Sequence, residues 1–147
     1  MDPTVELLRK VNKVISIEDP KVGKMEWLIR PIPAYDLLEH VDLFSDLPKE
    51  NQFKGKTSDN LSPEDAKIIK EKLFPIMKIV LPACTVKPRV TIDKNDPDLT
   101  DGTAIHMRDL PFRVVMTLFN EIQAISGLDE KAEEIRKKLQ AQNSASQ

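Results

Sequence analysis

The stretch VISIEDPKVGKMEWLIRPI constrains this chain more than any other. Two short runs rich in β-branched and aromatic residues, 14–18 and 25–32, flank DPKVGK, where Asp19-Pro20 and Gly23 supply turn chemistry. In the second run Met25, Trp27 and Ile29 alternate with Glu26, Leu28 and Arg30. That alternation gives one buried face and one mixed face, the pattern of a hairpin lying on a core. The other elements must supply the core.

Helical signals surround the hairpin. Asp2 as N-cap and Pro3 at the first helical position predict an opening helix with Val5, Leu8 and Val11 on one face. After Pro31 and Pro33, PAYDLLEHVDLF carries Ala34, Leu37, Leu38, Val41 and Phe44 at helical period, which predicts a single helix. Ser62-Pro63-Glu64-Asp65 combines a cap, a first-turn proline and acids at the positive end of the dipole. Ala66, Ile69, Leu73, Ile76 or Met77, and Val80 continue that apolar face, and Pro75 within it predicts a kink or a restart.

TVKPRVTI suits one short edge strand, since Pro88 has no N–H to give a ladder, and AIHMRDL suits another. Between them lies the turn-rich DKNDPDLTDGT. Asp109 is then expected to cap LPFRVVMTLFNEIQAIS, whose stripe is Val115, Leu118, Phe119, Ile122 and Ile125, with Gly127 as a left-handed stop. The fold class expected is α+β. A small antiparallel sheet, the N-terminal hairpin plus short edge strands, is packed by three to four helices, with an amphipathic C-terminal helix. Residues 1–127 form one domain, including a polar loop at about 45–61 (SDLPKENQFKGKTSDN) expected to be mobile. Residues 128–141 form the C-terminal helix and 142–147 a disordered tail.

Composition narrows the function classes. The 147 residues are 40% hydrophobic and 31% charged, with a net charge of -2. That balance gives no general field for phosphate backbones or anionic membranes, so neither nucleic acid nor membrane is an expected partner. The single cysteine excludes an intrachain disulfide and suits a cytoplasmic protein. The opening MDPTVELLRKVNK has the pattern of no signal peptide, and the apolar run near residues 76–83 is interrupted by Lys78 and Pro82.

No catalytic constellation stands out. Cys84, His106 and Asp109 would suit a nucleophile, base and orienter, but LPACTV is an apolar setting in which cysteine packs as a small hydrophobe. His40 and His106 belong to no metal-ligand spacing. DKNDPDLTDGT lacks the alternating ligands and terminal Glu of a calcium loop, and the scattered glycines form no phosphate loop. No catalytic, cofactor or metal residues are therefore assigned. Phe53, between Gln52 and Lys54 in the polar loop, is an exposed contact candidate, and Trp27 is assigned to the core.

The C-terminal segment differs in kind. Leu128, Ala132, Ile135 and Leu139 are spaced four, three and four, the seam of a helix that pairs with another helix. Acids lie toward its start and Arg136, Lys137 and Lys138 toward its end, which suits the dipole, and Glu133–Lys137 and Glu134–Lys138 are favourable pairs. So short a helix needs a surface, either its own domain or another chain.

Three features carry a resemblance: MEWLIRPIPAYDLLEHV, the IVLPACTVKPRV segment after an apolar helix, and DLPFRVVMTLFNEIQAISGLDEKAEE. In this order they resemble the tail assembly chaperones of long-tailed bacteriophages and prophages, particularly the XkdN-like group. The resemblance implies a protein of the host cell cytoplasm that is not an enzyme and is absent from the mature virion. Its implied partner is the tape measure protein, which it keeps soluble during tail tube assembly. The major tail tube protein and self-association are further partner expectations, with Leu128, Ala132, Ile135, Leu139 and Phe53 as the contact residues. The alternative is a structural virion component, a tail completion or head–tail connector protein; a small enzyme using Cys84 is the third.

Overall fold

The computed structural model describes residues 2–45 and 61–127, and the fold is α+β. Its first helix, α1 (Pro3–Arg9), opens as expected, with the Asp2 carboxylate accepting the Thr4 N–H at 2.7 Å. None of its residues is buried. The hairpin follows as β1 (Lys13–Asp19) and β2 (Gly23–Ile29), antiparallel, with Ile15 opposite Trp27 and Ile17 opposite Met25. Asp19 shapes the turn by accepting the Lys21 and Val22 N–H groups, and Gly23 takes a φ of +102° that a side chain would oppose.

The segment after Pro33 departs from the expected single helix. It forms α2 (Ala34–Glu39) and α3 (Val41–Ser45), separated at His40, whose φ of -120° and ψ of 33° are not helical. One straight helix would align Leu38 and Val41 with Phe44. The break instead buries Phe44, packs Leu37 and Leu43 against the core, and leaves Leu38 and Val41 exposed.

α4 (Pro63–Ile68) begins with a complete capping box: Ser62 Oγ accepts the Asp65 N–H and the Asp65 carboxylate accepts the Ser62 N–H. A π-turn, Ile69–Leu73, leads into α5 (Phe74–Cys84). This is the restart that Pro75 predicts. A proline ring in a regular helix collides with the carbonyl four residues back, and one wider turn makes room for it.

Pro88 divides what was expected to be one strand. Before it, β3 (Thr85–Lys87) joins β2, giving the antiparallel order β1-β2-β3; the Lys87–Pro88 peptide is cis. After it, β4 (Arg89–Thr91) pairs with β5 (Ala104–His106), and this second ladder is parallel, correcting the expectation of antiparallel edge strands. The reason lies in the connection. Residues 92–103, including α6 (Asp98–Asp101), supply the dozen or so residues a parallel crossover requires.

The last described helix, α7 (Phe112–Ser126), ends at Gly127, with φ +65° as expected. Its start differs. Asp109 belongs to a 3₁₀ turn, Met107–Asp109, and Pro111 occupies the cap position with no side-chain cap, its fixed φ pre-setting the first turn. The buried face is also rotated: Val114, Leu118, Phe119 and Ile122 are buried, whereas Val115 and Ile125 flank them half-buried. These side chains meet Ile76, Met77, Val80, Leu81 and Cys84 of α5 and Ile15, Ile17, Trp27 and Ile29 of the hairpin in one core.

Candidate functional site

Two polar clamps fix the framework that carries the surface. The Arg30 N–H donates to the Cys84 carbonyl at 2.9 Å and its Nε to the Ala83 carbonyl at 2.5 Å, satisfying the open end of α5. Ser126 Oγ accepts the Ile32 N–H at 2.9 Å, tying the chain between β2 and α2 to the end of α7. Both residues carry only a generic signal in the sequence, because their partners lie far along the chain.

The acidic connection is fully engaged in local structure. Arg89 Nη2 donates to Asp96 at 2.6 Å and to Asp98 at 2.8 Å, gathering the crossover over β4. These bonds hold the Asp96 carboxyl below its ordinary range and raise Arg89. Asp93 and Asp101 accept N–H groups two residues on, and Thr103 Oγ1 also donates to Asp101, which holds that carboxyl low as well. Among the described residues, no group of three or more His, Cys, Asp or Glu side chains is arranged to hold a metal ion.

Cys84 is fully buried, and burial pushes its thiol up to about 12, so almost no thiolate exists near neutrality. His106 is partly buried; its Nδ1 accepts the Arg108 N–H at 3.1 Å, and its Nε2 is buried with no hydrogen-bond partner among the described residues. Asp109 sits on the surface, its Oδ1 3.9 Å from Arg108 Nε. The nucleophile, base and orienter considered from the sequence thus have structural settings of their own.

The surface is more distinctive than any cleft. Large apolar side chains are exposed on α1 (Leu7, Leu8), on α2 (Tyr35, 74%; Leu38, 73%) and at Val11, Val14 and Val22. A shallow depression of about 320 Å³, lined by Leu61, Ala66, Ile69, Lys70 and Phe74, lies where the π-turn interrupts the α4–α5 rod. Lys78 Nζ stands 4.6 Å above the Phe74 ring there. No protein-family model, curated protein or solved structure matches this chain. The contact residues expected from the sequence, Leu128, Ala132, Ile135, Leu139 and Phe53, lie outside the described residues. Of the exposed apolar positions, Leu38 and Val41 belong to the helical-period stripe read in the sequence, and the break at His40 separates them from buried Phe44. No described helix is long and apolar enough to cross a membrane.

Proposed function

We propose that this chain is a tail assembly chaperone of a bacteriophage or prophage, acting by binding a long helical client, the tape measure protein, rather than by catalysis. One observation carries the reading: large apolar side chains stand in solvent on short helices, with Tyr35 and Leu38 on α2 and Leu7 and Leu8 on α1. Scattered exposed apolar residues are ordinary, but clusters on helical ribs suit a partner that offers apolar helical stripes. The resemblance of MEWLIRPIPAYDLLEHV and LFNEIQAISGL to the XkdN-like group points the same way. Leu128, Ala132, Ile135 and Leu139, spaced four, three and four in the sequence, are a further contact that this reading expects. Many copies along one client turn weak contacts into strong retention while leaving each copy displaceable by the tail tube protein. The setting is the host cytoplasm, and the finished particle lacks the chain.

Co-expression tests this. A tape measure protein co-expressed with this chain is expected to remain soluble and to co-purify when the chain is present, and to precipitate without it. Replacing Leu128, Ile135 and Leu139 together by Asp abolishes retention while leaving the circular dichroism of the domain unchanged. Undiminished retention by that variant defeats the seam, and a client equally insoluble with and without the chain defeats the function. Recovery of the chain in stoichiometric amounts from purified particles would favour a virion component instead.

A further inference from the structure

The two edges of the three-stranded sheet are treated very differently. β3 is three residues long and is cut off by Pro88, both standard ways of blunting an edge. β1, at the other edge, is seven residues long and contains no proline, and its ladder with β2 runs without a bulge. Among the described residues, no backbone hydrogen bond reaches β1 from its outer side. A long, regular, unpaired edge is a template for another strand.

We propose that the outer edge of β1 is a two-fold interface with a second copy of this chain, the two β1 strands pairing antiparallel to make one six-stranded sheet. The charge and burial pattern of β1 selects both partner and register. Odd-numbered residues Ile15, Ile17 and Asp19 face the core, and Val14, Ser16 and Glu18 face outward. A two-fold pairing must keep faces together, since a slip of one residue would set core side chains against solvent. Of the pairings that do, the one centred on Ser16 uses all seven residues. It sets Ile15 against Ile17 of the second copy and joins the two buried faces. It also sets Lys13, whose Nζ lies 3.4 Å from Glu121 of its own chain, opposite Asp19 of the second copy, an opposite-charge pair at both ends. Centring on Ile17 would instead press Ile15 against the Asp19 carboxylate, and centring on Ile15 would leave Lys13 opposite Ile17.

A closed, isologous contact of this kind is the commonest way for identical chains to associate. This interface stands apart from the client-binding reading and survives its failure.

Light scattering and a register-specific cross-link test the interface on the full chain. The unsubstituted protein is expected to elute with twice the mass of its 16.7 kDa chain. In the Ser16-centred pairing the two copies of position 16 have Cα atoms about 4.5–5.5 Å apart, within disulfide reach. Ser16→Cys therefore cross-links to a dimer on mild oxidation, and dithiothreitol reverses it. Glu26→Cys lies on the same outward face but on the inner strand β2 and stays uncross-linked; the buried Cys84 takes no part. A monomeric mass overturns the proposal, and so does a dimer in which Ser16→Cys cross-links no better than Glu26→Cys.

Discussion

Thr85 offers the sharpest test of how the two sheets are joined. It ends α5, begins β3 opposite Ile29, and is buried. Its Oγ1 donates to the Leu81 carbonyl at 2.6 Å and accepts the N–H of Val90 in β4 at 2.9 Å. One hydroxyl thus bridges the helix, the first sheet and the second. Thr85→Val keeps shape and volume and adds apolar character, so burial alone ranks it as harmless. Bond accounting ranks it as damaging. The Leu81 carbonyl keeps the Thr85 backbone N–H as a partner, but the Val90 N–H is left buried without an acceptor, which costs roughly 1–3 kcal/mol. Thr85→Ser keeps both bonds and loses one methyl, about 1 kcal/mol. With a urea dependence of about 1–3 kcal/mol per molar, Thr85→Val is expected to lower the unfolding midpoint by about 1 M, more than Thr85→Ser. Urea titrations followed by circular dichroism measure both, and faster hydrogen exchange at the Val90 amide in Thr85→Val locates the loss. If Thr85→Val is as stable as Thr85→Ser or more so, the bridging role is wrong.

The Arg89 clamp gives the fold a dependence on acid. Its bonds depress the Asp96 carboxyl, so their contribution is fully present above the ordinary carboxylate range and is lost only as pH falls through the lowered value. Arg89→Met removes that protection and is expected to move acid unfolding, followed by circular dichroism, to higher pH; an unchanged acid midpoint refutes it. Cys84, with its thiol buried and raised to about 12, is expected to react with a thiol reagent at pH 8 only as fast as the chain opens, and rapidly in denaturant. Fast modification of the native protein would contradict that burial.

What the sequence made legible was local. The hairpin is written in alternation and turn residues within the 13–29 stretch, and its register follows from them. The caps at Asp2 and Ser62 and the stop at Gly127 involve neighbours within a few residues. Apart from the cap of α7, which falls at Pro111 and not at Asp109, the misreadings share a cause, a contact distant in sequence. Whether 34–45 is one helix or two depends on where the core needs Phe44, and residues 85–91 divide because Thr85 belongs beside Ile29 and Arg89 beside Ala104. The parallel hand of β4 and β5 cannot be seen in three-residue strands, because their burial pattern is too short to carry a period.

The surface follows a related logic. A stripe of apolar residues in a sequence states that something must cover it, not what does. For Ile76, Val80, Leu118 and Ile122 the cover is the chain's own core. For Leu38, Val41, Leu7 and Leu8 the same kind of pattern ends in solvent, because the His40 break and the short α1 turn those side chains away from the core. The tie between residues 30–32 and the ends of α5 and α7 then bears on the proposed recognition. It anchors the start of α2, so on the client-binding proposal a helical partner would meet a preformed apolar surface and lose less conformational entropy on docking than a loose segment would demand.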